Sequence, residues 1–112
     1  MKIYISGPIT GIKGYMEKFK AAEHKLTEMG YTVINPARVN AQLPEGLEHR
    51  EYMLTSIAML EMCDVIFLME GWQNSKGCSI EFEYARNNGI TMLFENGRSG
   101  ISVDSKKKEK DA

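Results

Sequence analysis

Four short runs of this chain are apolar without alternation, and helical patterns separate them. They are KIYIS (2–6), YTVIN (31–35), DVIFLM (64–69) and ITMLF (90–94). A strand with one solvated face alternates polar and apolar residues, whereas one covered on both faces reads as a continuous apolar run. Between the first two runs, Tyr15, Phe19, Ala22, Leu26 and Met29 keep the 3.6-residue period, and Gly30 follows as a helix-ending glycine. Met53, Ile57 and Leu60 mark a second helix, and Gly77 to Asn88 can form a third. Strand–helix alternation of this kind implies a small doubly wound α/β domain, with a parallel sheet of four or five strands. Ligands of such sheets sit beyond the carboxyl ends of the strands. The loops that arrive there are 7–14, 35–46 and 70–77, with 36–46 read as polar loop.

Length and charge narrow the class. The chain has 112 residues, which is one domain. Residues 1–96 carry the pattern, and 97–112, ending SKKKEKDA, read as a polar, disordered tail. The Lys106–Lys108 run is read as part of that solvated tail. A net charge of −1 gives no basic field for a DNA or RNA polymer. Cys63 and Cys78 form neither a zinc spacing nor a disulfide framework and read as buried thiols. No run is long enough to span a membrane and no signal peptide is visible, so a soluble, cytoplasmic protein is expected.

The third helix poses a chemical question. On a helical projection Gly77, Ile80, Tyr84, Ala85 and Asn88 share one face, Glu81 falls within it, and Glu83 and Arg86 point away. An inward carboxylate near a helix start, kept ionised by the helix dipole, can serve as nucleophile or general base. It can equally cap the helix by accepting backbone N–H groups. Tyr4 reads as core, with a hydroxyl able to reach a carboxylate. Gly7 allows close backbone approach and Pro8 fixes the turn, but the loop lacks both the dinucleotide and the Walker spacings. Trp72 and Asn74 sit in a crevice loop, where an indole can stack on a planar base or simply anchor the loop. Asp64 opens its strand at the far end from the crevice, and His24 and His49 read as surface residues.

Taken together, these segments resemble the nucleoside 2-deoxyribosyltransferase-like superfamily, and its small bacterial and phage members most closely. The resemblance spans Met1 to Leu93. It rests on IYISGPITG, on Phe19 and the alanine after Lys20, on VINPA (33–37), on EYM (51–53), and on CDVIFLMEGWQNSKGCSIEFEYARNNG (63–89). The core of the last segment is Gly77, Glu81 and Ala85 at four-residue steps. The resemblance implies base exchange or base hydrolysis at the sugar C1′, with Glu81 as nucleophile, Tyr4 holding it, and no metal or organic cofactor. It implies a small nucleotide or nucleoside substrate held near Gly7, Pro8, Trp72, Ser75, Gly77 and Ser56. A homo-oligomer is also implied, with Phe82 as a candidate contact.

Two positions depart from that pattern. Ser56 stands where the transferases carry the aspartate that helps protonate the leaving base, and Ser75 where a second aspartate binds sugar hydroxyls. Related nucleotide N-glycosidases carry serine at the position of Ser75, where a hydroxyl donates to phosphate and an aspartate would repel it. The expectation is therefore a 5′-monophosphate substrate. The alternative is a non-catalytic nucleotide-binding module that has lost the acid at position 56.

Overall fold

A computed structural model of the chain describes residues 1–96 and the strand at 101–103. The strands are β1 (Lys2–Ser6), β2 (Thr32–Ile34), β3 (Val65–Leu68), β4 (Thr91–Glu95) and β5 (Ile101–Val103). The helices are α1 (Tyr15–Glu28), α2 (Pro36–Asn40), α3 (His49–Glu61) and α4 (Lys76–Asn87), with a 3-10 turn at Trp72–Asn74. The sheet runs β2-β1-β3-β4-β5. Its first four strands are parallel and β5 pairs antiparallel with β4.

The continuous apolar runs are explained by burial on both faces. Along β1 and β3, Ile3, Ile5, Val65 and Phe67 pack under α1 with Phe19, Ala22 and Leu26. Tyr4, Ile66 and Leu68 face the other way, toward α3 and α4, with Met59, Leu60 and Ala85. Period two along a strand sends neighbouring residues to opposite layers, so each apolar run serves two cores. The chain leaves β1 for β2 on one side and returns past it to β3 on the other. The carboxyl ends of β1 and β3 therefore flank the topological switch point, where a crevice opens in such sheets.

Two elements depart from the sequence reading. The segment after Pro36, read as loop, begins with the one-and-a-half-turn helix α2. Asn35 Oδ1 accepts from the N–H groups of Ala37 and Arg38 at 3.1 and 3.3 Å, and Pro36 occupies the first helical position. Five residues are too few for periodicity to show, and only the residue types of Asn35 and Pro36 mark the start. The second is β5, inside the span read as a disordered tail, where Ile101 and Val103 bracket a three-residue strand. The rest of that tail, Lys106–Lys108 included, lies outside the described residues.

Candidate functional site

Helix α4 buries a narrower face than the projection suggested. Its buried residues are Cys78, Glu81 and Ala85, while Ile80 is exposed by 40 % and Asn88 lies at the surface. The stripe is thus rotated toward Cys78, and Glu81 lies at its centre, 6 % exposed. Glu83 points outward and pairs with Arg86 at 2.8 Å.

Two hydroxyls hold the Glu81 carboxylate. Tyr4 donates to Oε2 and Ser6 to Oε1, each at 2.6 Å. Both donors come from β1, two residues apart, hence on the same face of the strand. The helix-capping alternative is excluded, because the cap is Ser75, whose Oγ accepts from the Cys78 N–H at 3.2 Å. No lysine or arginine pairs with Glu81 among the described residues. Burial therefore dominates its titration and lifts it from 4.5 to about 6, against the pull of the Ser6 and Tyr4 hydrogen bonds. Glu81 lies past the first turn of α4, where the dipole fades, so the two hydroxyls rather than the dipole favour its charged form. At neutral pH the group is still mostly charged, with roughly a tenth protonated.

Burial is also the main cause holding Tyr4 well above its ordinary value, followed by the charge of Glu81 and the bond to it; Ser56 acts in the opposite direction. Tyr4 thus keeps its proton and remains a donor. Ser56 is itself buried, on α3. Cys63 and Cys78 are buried as expected, and desolvation is the chief cause that raises both thiols, Cys63 to about 11. They are protonated and weakly nucleophilic.

The carboxylate lies in the wall of an open crevice of about 1390 Å³, roomier than the usual small-molecule pocket. Of the residues expected around a substrate, Tyr4, Gly7, Pro8, Ser56, Ser75, Gly77 and Glu81 all line it. Trp72 does not. Its indole lies on Phe82, ring centres 4.6 Å apart and planes 27° from parallel, with Phe94 at 6.1 Å. The anchoring alternative describes it, and Phe82, named above as a candidate contact between copies, is half-buried beneath it. Gly7 serves packing as well as access, since a Cβ there would meet Met69 Sδ at 2.5 Å and Phe19 Cζ at 3.1 Å. At Gly77 a Cβ would fall 3.3 Å from Met53 Sδ and 3.8 Å from His49 Nε2, so this glycine lets α3 approach α4.

Three polar groups at or beside the crevice escaped the sequence reading. Ser6 was missed although it repeats the inward register of Tyr4 two residues on. His49 is exposed, as a surface reading has it, but it opens α3 at the crevice, a place its sequence position did not reveal. Asn40, also on the wall, has a buried Oδ1 with no partner among the described residues. Among those residues no cluster of His, Cys, Asp and Glu could hold a metal, and no helix is long and apolar enough to cross a membrane. Asp64 accepts from the Lys2 N–H at the amino end of the sheet, away from the crevice, and His24 lies on the surface beside Glu28.

Residues 1–94 match the model of a family described as a domain of unknown function, DUF4406. No curated protein matches the chain. Among solved structures, it is similar to the 2-deoxyribosyltransferase of the psychrotolerant bacterium Bacillus psychrosaccharolyticus. The TM-score is 0.68 at 17 % identity, over 84 % of this chain and 71 % of that one. The chain therefore has the α/β fold of that enzyme.

Proposed function

We propose that this chain, which belongs to the DUF4406 family, cleaves or exchanges the N-glycosidic bond of a nucleotide or (deoxy)nucleoside. The observation that carries the reading is Glu81. It is a buried carboxylate with no counter-cation among the described residues, gripped by two hydroxyls and set in the crevice at the switch point. A carboxylate held at the expense of desolvation is what nucleophilic catalysis at C1′ requires. In the first step a Glu81 oxygen bonds to C1′ as the C1′–N bond breaks, its electron pair leaving with the base. In the second, water or another base displaces the carboxylate from the ester. The Ser56 hydroxyl is too weak an acid to supply the proton a departing base needs, and His49 is the imidazole among the residues lining the crevice. The fold shared with an enzyme named as a 2-deoxyribosyltransferase agrees with this chemistry.

A preference for 5′-monophosphates belongs to the same reading. Ser75 uses a lone pair to cap α4, which leaves its own O–H to donate toward the crevice. The free N–H groups of the first turn and the exposed Lys76 favour an anion at the same place. Ser56, a buried hydroxyl where an acid was expected, favours the second reading, a nucleotide-binding module without turnover.

Base release from a panel of nucleosides and 5′-monophosphates, with wild type and Glu81→Gln, separates the two. On the first reading the amide cannot attack C1′, and the rate falls by several orders of magnitude, about 4 kcal/mol or more in barrier. Residual activity within about tenfold of wild type would place the chemistry elsewhere. Binding without turnover by the wild type would establish the second reading.

A further inference from the structure

The resemblance assigns Tyr4 to the nucleophile, yet one hydrogen bond leaves a carboxylate free to rotate. The torsion that sets its plane is broad and weakly restrained. Ser6 supplies what is missing: its hydroxyl reaches Oε1 at 2.6 Å while Tyr4 holds Oε2 at the same distance. Both donors are 1 % exposed, so neither bond competes with water. Because the two donors rise from successive same-face positions of β1, they fix both oxygens from one side, and the remaining lone pairs stay available to the crevice.

We propose that Ser6 is a second positioning residue for Glu81, one that fixes the plane of the carboxylate and favours its charged form. The inference rests on the reading of Glu81 as the nucleophile. It adds that the bond from Ser6 matters no less than the one from Tyr4. A hydroxyl donates one proton, and Ser6 gives it to Oε1. The buried serine therefore has no spare donor to satisfy elsewhere.

The test is the titration of Glu81 itself, followed through its side-chain carbonyl carbon by NMR in the free protein. Wild type, Ser6→Ala, Ser6→Thr and Ser6→Cys are compared, alongside pH profiles of base release. Removing the hydroxyl should raise the Glu81 midpoint by roughly one pH unit. The acid limb of the rate profile should move with it, and kcat above both limbs should fall about tenfold through lost orientation. Ser6→Thr should restore the midpoint. Ser6→Cys, close in volume and a weaker donor, should shift it less and in the same direction, which keeps the test usable where alanine leaves too large a hole. A midpoint unmoved in a folded variant lacking the hydroxyl would overturn the assignment. The NMR measurement needs no turnover, so failure of every substrate would sink the proposed reaction and leave the effect of Ser6 readable on its own.

Discussion

Replacing Glu81 by glutamine should make the protein more stable at neutral pH while removing its activity. The magnitude follows from the titration. Burial lifts the carboxyl from its ordinary 4.5 to about 6, and a tenfold change in an acid constant is worth about 1.4 kcal/mol. Ionising this group inside the folded protein therefore costs about 2 kcal/mol more than ionising it in the unfolded chain. Between about pH 4.5 and 6 the folded state binds the proton that the unfolded state has released. The contribution of Glu81 is thus fully present below about 4.5, and is lost as pH rises through 6.

Glutamine is neutral throughout that range and nearly the same size. It must still satisfy the two β1 hydroxyls with one carbonyl oxygen and one amide nitrogen. One hydroxyl has to turn and accept, and an unpaired N–H costs about 1 kcal/mol. The net expectation is a variant about 1 kcal/mol more stable than wild type near pH 8, and about as much less stable near pH 4. In a domain of this size that is roughly 4–8 °C of Tm in each direction. Urea unfolding of both proteins across this range measures it, with the m-values compared first. The constant offset depends on how the amide is hydrogen-bonded, whereas the slope of the difference depends on the titration of Glu81 alone. Parallel stability curves across the acid range would refute the reasoning, because Glu81 would then titrate as an ordinary solvated carboxylate.

The Ser75→Asp variant should fold normally, since aspartate caps a helix as well as serine does, and should lose or reverse the preference for 5′-monophosphates. Its charge would cost a bound phosphate about 1–4 kcal/mol near the surface, and equal or better use of free nucleosides by wild type would end the phosphate reading. Glu83→Gln should leave base release within about twofold, because that side chain faces solvent and pairs with Arg86; a large loss there would mean that the wrong carboxylate has been assigned. Tyr4→Phe, which removes the other donor to Glu81, should raise the Glu81 midpoint above 6, and an unchanged NMR titration would show that the 2.6 Å bond contributes little.

The sheet was legible because its strands carry a two-sided demand that few other structures make, and β1 and β3 read as apolar runs for that reason. The β5 strand was not, because three residues after a polar stretch carry no period and the pairing partner, β4, lies outside their own sequence. The site shows the same division. Glu81 stood out as a charge within an apolar stripe, a conflict visible in one dimension. Ser6 conflicts with nothing: a serine at the end of a strand is ordinary, and its meaning depends on a helix 75 residues away. Trp72 failed in the opposite sense, since an aromatic residue in a crevice loop suggests stacking on a base, yet Phe82 and Phe94 compete for the same ring. Local patterns locate a group that violates its surroundings. They do not locate one that completes them, and the hydroxyls that hold Glu81 in place belong to the second kind.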